Sequence, residues 1–209
     1  VYHAAVARID VLPSKTVYGR GATRFQPWVE VGILAHLRLE DWAFQEDAWF
    51  HRAAPVEGEV VRVERAVPFS PELRCCTAGE PPPEQRQGDF QLQVGEAERV
   101  AVTLLSALRP TLSRHAALGM VSRPGESPEV FRRRVLRAVG PAVREGRVRG
   151  EDAAAGLARL AAGVETRQLA GEHLTATRLL VGVVWYPSGG GPRLASDELL
   201  VTGRVVSCR

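Results

Sequence analysis

Six arginines, Arg132, Arg133, Arg134, Arg137, Arg144 and Arg147, crowd the stretch SPEVFRRRVLRAVGPAVREGR that begins at Ser127. A guanidinium stays protonated at any ordinary pH, so it is a poor acid or base, but its planar fork matches the oxygens of phosphate and carboxylate. The chemistry on offer is recognition of an anion, and spacing decides whether the six act together. Projected at about 100° per residue, Phe131, Val135, Ala138, Val139, Ala142 and Val143 share one sector. Arg133, Arg137, Arg144 and Arg147 fall on the opposite side, Arg134 lies at its margin, and Arg132 and Arg134 are assigned an assisting role. The pattern predicts an amphipathic helix with a basic outer face. Three occupants of that face stay open: a nucleic-acid backbone, an acidic protein partner, or solvent alone.

The start of this helix is written in its residues. Ser127 can accept from first-turn amides as N-cap, Pro128 loses nothing at a position whose amide has no partner, and Glu129 suits the positive end of the helix dipole. Gly140-Pro141 predicts a bend or a split further along.

Other chemistry-bearing residues form weaker patterns. The chain has no GxxxxGK[ST] loop, no HExxH and no GxSxG elbow, and His3, His36, His51, His115 and His173 are scattered. Cys75, Cys76 and Cys208 suit neither a disulfide framework nor a four-thiolate zinc site, and they point to a reducing, cytoplasmic setting. Glu40, Asp41, Glu46 and Asp47 could gather a hard cation but read more simply as the solvated face of a short helix. YGRGATRF, residues 18–25, mixes aromatics and arginines as base-stacking surfaces do, and a turn between strands is the plainer reading. PSGGGP follows a strand without the lysine of a phosphate loop and reads as a flexible loop. No cofactor and no metal is expected, and a non-catalytic role is favoured. The alternative is a small enzyme whose pocket gathers two or more of Asp10, Glu30, His36, Asp41 and His51 in the N-terminal β part, whereas a flat basic face marks a binding module. A third possibility is a protein-interaction domain presenting Trp42 and Trp49.

These residues sit in a chain of 209 residues with 27 basic and 24 acidic side chains, in which Lys15 is the single lysine. Residues 1–125 are near neutral, and the surplus of positive charge gathers between Arg132 and Arg149. The longest apolar run, Leu179 to Tyr186, is far short of the roughly 20 residues that cross a bilayer, so no membrane association is expected. The opening VYHAAVARID lacks both a signal-peptide pattern and an initiator methionine, which suggests a processed or excised piece of a longer chain.

Periodicity predicts an α+β protein: a mainly β part over 1–67, a Pro-rich loop or linker over 68–89, then a part over 90–209 with helices and a terminal pair of strands. AVARIDV, WVEVGILAHLRL and EVVRVERAV read as strands. EDWAFQEDAWFHR reads as a short amphipathic helix or an irregular aromatic segment. GEAERVAVTLLSALRPTLSRHAAL reads as a helix that Pro110 kinks or ends, and GEDAAAGLARLAAGVETRQLAG as a helix stopped by Gly171. TRLLVGVVWY and DELLVTGRVVSC read as the two closing strands.

One segment carries a family resemblance. LGMVSRPGESPEVFRRRVLRA, residues 118–138, resembles a segment that follows the motor core in HerA-type bacterial DNA-translocase ATPases, on Pro124, Gly125, Glu126, Ser127, Phe131, Arg132 and Arg134. VGVVWYP, residues 181–187, is loosely similar to an apolar strand ending in Trp-x-Pro near the end of such proteins. The resemblance implies the accessory region of a DNA-acting ATPase, with the motor outside this chain and nucleic acid or an acidic protein as partner. It also implies a long helical hairpin, from which the glycine-interrupted helices here depart.

Overall fold

The computed structural model describes residues 8–17, 22–71, 77–146, 149 and 163–192. They form an α+β protein built on a curled mixed sheet. At its centre lies β3 (Phe25–Leu39), whose sequence alternates as a half-buried strand should. Val29, Val31, Ile33, Ala35 and Leu37 have no exposed surface, while Glu30, Gly32, Leu34, His36 and Arg38 take the opposite face. A 3-10 turn over Glu40–Trp42 closes on Ala43, the described non-glycine residue with left-handed φ (48°), and returns the chain as β4 (Phe44–Glu57). The two strands pair antiparallel from Trp28 opposite Pro55 to Leu39 opposite Phe44.

β4 corrects the helical reading of EDWAFQEDAWFHR. Trp42, Ala43, Glu46, Trp49 and Phe50 satisfy a helical period, but Phe44, Ala48 and Phe50 also satisfy a period of two and pack on the core. The unpaired edge of β3 selects the strand, because each residue laid against it gains ladder hydrogen bonds and burial together. EVVRVERAV is likewise shorter as strand than expected: it breaks into β5 (Val60–Val61), a 3-10 turn at Val63–Arg65 and β6 (Val67–Pro68).

On the other side of β3 runs β11 (Leu174–Pro187), antiparallel from Leu174 opposite Leu37 to Pro187 opposite Phe25, with a bulge between Ala176 and Arg178. Its far edge takes β1 (Ile9–Val11) and β2 (Lys15–Val17), both parallel to it. Leu12 continues the ladder through its amide to the Val181 carbonyl (2.7 Å). Trp185 donates from Nε1 to Ser14 (3.1 Å), holding the break between β1 and β2. The Pro-rich stretch is tied to the sheet at two places: β7 (Thr77–Ala78) pairs with β2, and the Gln87 amide donates to the carbonyl of Phe25 at the start of β3 (2.7 Å).

One face of the sheet is covered by α1 (Val94–Ser106), which buries Ala97, Val100, Ala101, Leu104 and Leu105. Together with Leu179, Val181, Val183 and Trp185 these form the main core. Each fully buried aliphatic side chain contributes about 1.5–3 kcal/mol, so this layer dominates the stability. α1 ends at Ser106, short of Pro110, and the expected continuation to Leu118 is instead β8 (Thr111–His115) with a 3-10 turn at Ala116–Leu118.

A second, three-stranded sheet sets β8 between β9 (Met120–Val121) and β10 (Val164–Gln168). β10 overturns the described part of the helix expected to stop at Gly171: Val164–Gln168 is strand, and Gly171 opens a 3-10 turn. The rest of that segment, and DELLVTGRVVSC, lie outside the described residues. Ser122 locks the sheet by accepting from the Ser113 amide (2.8 Å) and donating its own amide to the Ser113 carbonyl (2.7 Å). Among the described residues no helix is long and apolar enough to cross a membrane.

Candidate functional site

α2 (Pro128–Arg144) packs on this small sheet. Its start forms as the residues dictate: the Ser127 hydroxyl accepts from the Val130 amide (3.2 Å), and Pro128 occupies the first turn. Val130, Phe131, Val135, Val139 and Ala142 are buried. Phe131 and Val135, both without exposed surface, meet Leu118 and Met120 in a core of their own. The helix runs through Gly140-Pro141 to Arg144 as one element, and both residues lie on its exposed side.

The apolar face sorts the arginines. Arg132, Arg133, Arg137 and Arg144 are exposed, whereas Arg134 is half-buried. Arg134 donates from Nε and Nη2 to the two oxygens of Glu126 (3.0 and 2.7 Å) and from Nη2 to the Val121 carbonyl (2.9 Å), with its guanidinium carbon 5.1 Å from the Phe131 ring centre. Glu126 also accepts from the Arg123 amide (2.8 Å). Burial pushes the Glu126 carboxyl up, but the hydrogen bonds and charges of Arg134 and Arg123 outweigh it and hold the group below the ordinary glutamate value. Arg134 is thus committed to fastening the turn that launches α2. Arg147 lies outside the described residues.

Arginines elsewhere are largely spent inside the protein. Arg8 and Arg178 both hold Asp10, Arg62 and Arg65 both hold Glu57, and Arg86 holds Glu80. Arg167 grips both oxygens of Asp41 (3.0 and 2.7 Å) and lies over the Trp42 ring at 5.0 Å. Among the described residues, by contrast, Arg132, Arg137 and Arg144 have no carboxylate within ion-pair distance. Four exposed cations on one helix, three of them without an internal counter-charge, make a surface that an anionic partner can neutralise.

The acidic and imidazole candidates separate. Asp10 is held below the ordinary aspartate value by hydrogen bonds from Arg178 and Arg8, and Asp41 by the hydrogen bond from Arg167. Glu40 faces Arg38, and Asp47 meets the ring of His36 (2.6 Å) directly across the β3–β4 ladder. Three of the four carboxylates of EDWAFQED, Glu40, Asp41 and Asp47, are therefore divided among separate partners, and among the described residues no three His, Cys, Asp or Glu side chains gather as metal ligands. Of YGRGATRF, Phe25 is buried in the core, and residues 18–21 lie outside the described residues. Trp42 is buried beneath Arg167, while Trp49 keeps 42% of its surface exposed.

Two adjoining pockets are lined by described residues. One, of about 160 Å³, sits on the sheet face opposite α1. Gly32 and Gly182 leave its floor bare, Lys15, Glu30 and His51 supply its polar groups, and the Tyr186 hydroxyl donates to Glu30. Glu30 and His51 thus line one pocket, while Asp10, His36 and Asp41 are not among its lining residues. The other pocket, of about 370 Å³, follows β4 and the chain after β6, and Pro124 and Gly125 of the turn before α2 reach it. Arg52 lines it. No sequence signal singled out Arg52, which stands alone among strand residues, and Lys15 stands out only as the single lysine of the chain.

No protein-family model, no curated protein and no solved structure matches this chain. Fold and surface chemistry define it as an α+β protein with a curled mixed sheet and an arginine-faced helix.

Proposed function

We propose that the protein is a non-catalytic accessory or recognition domain that contacts the phosphate backbone of a nucleic acid, or an acidic protein partner, through the outward face of α2. One observation carries this reading: Arg132, Arg133, Arg137 and Arg144 are exposed on a helix whose opposite face is fully engaged in a core. Arg134 supports the face from behind by fixing the turn at Glu126, and Arg147 continues the same sequence pattern. The resemblance of residues 118–138 to the HerA-type accessory segment agrees with a partner motor in the same system.

The test is fluorescence-anisotropy binding of labelled single- and double-stranded oligonucleotides at two salt concentrations, beside a variant with Arg133, Arg137, Arg144 and Arg147 changed to glutamine. Backbone contact through about four arginines predicts a log–log salt slope of roughly −3 to −4 and loss of most binding in the variant. Undiminished binding in the variant refutes the assignment to α2. Absence of binding at low salt turns the search to acidic proteins.

A second reading, a small enzyme, draws support from Lys15, Glu30 and His51 lining the same 160 Å³ pocket. A carboxylate, an imidazole and an amine in one depression are a general acid–base set. A turnover signal abolished by Glu30→Gln and untouched by the α2 substitutions would establish that reading in place of the first.

A further inference from the structure

Lys15 is the single lysine among the 27 basic residues of the chain, and it stands at the 160 Å³ pocket on the sheet face away from α1. The pairing registers fix where the polar groups of this pocket lie. Lys15 is opposite Val184 across the β2–β11 pair, and Glu30 is opposite Gly182 across the β3–β11 pair, one pleat along β11 from Val184. Directly paired residues, and residues two apart on one strand, share a face of the sheet, so Lys15, Val184, Gly182 and Glu30 all border the same space. At ordinary strand spacing and rise, the α-carbons of Lys15 and Glu30 are about 12 Å apart. His51, opposite Gly32, closes the end of the pocket beyond Glu30.

The two charges differ in their state. Glu30 is buried, with 6% of its surface exposed, and accepts from the Tyr186 hydroxyl. The Lys15 side chain is exposed, and among the described residues it has neither an ion-pair nor a hydrogen-bond partner. The walls beside them, Leu12, Phe69, Leu180 and Val184, are apolar. A carboxylate and an ammonium held apart in a small apolar depression are complementary to a ligand that carries the two opposite charges close together on an apolar body. An α-amino acid has that form. Its ammonium and carboxylate are roughly 3 Å apart, and a hydrogen bond of about 2.8 Å at each end extends the span to about 9 Å, which lysine and glutamate side chains on α-carbons about 12 Å apart can bracket. A compact ammonium on a flexible stem also suits so small a space better than the wide guanidinium fork used throughout the rest of the chain.

We propose that this pocket binds a single free α-amino acid with a small apolar side chain, its ammonium on Glu30 and its carboxylate on Lys15. Binding makes and breaks no covalent bond. It needs neither turnover nor the arginine face of α2, because no residue of α2 lines the pocket.

Calorimetric titration of the full chain with L-valine, isobutylamine and isovalerate tests it, the last two being valine without its carboxylate and valine without its ammonium. Glycine, L-alanine and L-leucine are titrated alongside to gauge the size of side chain accepted. L-valine should bind at least tenfold more tightly than either truncated analogue. Lys15→Met, which keeps the length of the side chain and removes its charge, should weaken valine at least tenfold, to the level of isobutylamine. Glu30→Gln should weaken valine at least tenfold as well. Lys15 is exposed, so its variant folds and decides the matter even if Glu30→Gln does not. Arg137→Gln with Arg144→Gln should leave valine affinity unchanged, which separates this site from the α2 reading. The proposal falls if none of the four amino acids binds at up to about 10 mM, if isobutylamine or isovalerate binds as tightly as valine, if Lys15→Met keeps valine affinity within twofold, or if the α2 double variant abolishes valine binding.

Discussion

Arg134 and Glu126, eight residues apart, meet as a two-pronged pair that joins the turn before α2 to the first turns of the helix itself. The Glu126 side chain keeps 5% of its surface, so the pair lies mostly out of water. Charge-assisted hydrogen bonds of this kind contribute about 1.5–3 kcal/mol, and removing one partner strands the other. Arg134→Ala should therefore lower unfolding stability by about 2 kcal/mol in urea titration, with the fold otherwise retained.

The same pair sets a pH dependence. The Glu126 carboxyl in the folded protein sits below its ordinary value, so the stability it contributes is fully present above about pH 4.3 and is lost as pH falls through the lower folded value. Glu126→Gln removes the titration. Its denaturation midpoint should fall less than that of the unaltered protein between pH 6 and pH 3, and equal slopes would show that the carboxylate is not held as described.

Binding and stability should part company along α2. Phe131 has no exposed surface, and Phe131→Ala should cost about 3–5 kcal/mol by opening a cavity at the contact with Leu118. Arg137→Gln and Arg144→Gln should each change stability by less than about 0.5 kcal/mol. Thermal denaturation of the three variants measures this contrast directly.

The cap at Ser127 should be worth about 1 kcal/mol, read as a lower urea midpoint for Ser127→Ala at constant slope. Restoration by Ser127→Asp, which also accepts from the Val130 amide, separates loss of the cap from damage to packing.

Ala43 closes the β3–β4 turn with φ of 48°, where a Cβ meets the backbone. Ala43→Gly relieves about 1–2 kcal/mol of strain and gives back part of it through the freer unfolded chain, so the net change should be a rise in melting temperature of a few degrees.

Much of the architecture was legible residue by residue. The alternation of β3, the apolar run of β11 and the Ser-Pro-Glu start of α2 each follow from the sterics and hydrogen bonding of a few neighbouring residues, and each appears where the sequence placed it. The exposed positions of Arg132, Arg133, Arg137 and Arg144 follow from helical period alone. β4 and β10 were not legible in this way. Phe44–Arg52 fits two periods at once, and Val164–Gln168 has almost no apolar residues to show one, so pairing with β3 and β8 settled both.

The chain's own residues thus determined an α+β protein, a capped helix and a basic face on that helix, because periods of 3.6 and 2 are carried by residues within a few positions of one another. Tertiary structure alone decided that β11 lies between β3 and the β1–β2 edge, and that Arg167 is spent on Asp41 across 126 residues. It alone brought Lys15, Glu30 and His51, from three different strands, to one pocket. Whether a charge is matched depends on which distant strand comes to lie against it, and that is a property of the assembled sheet, not of any stretch of sequence.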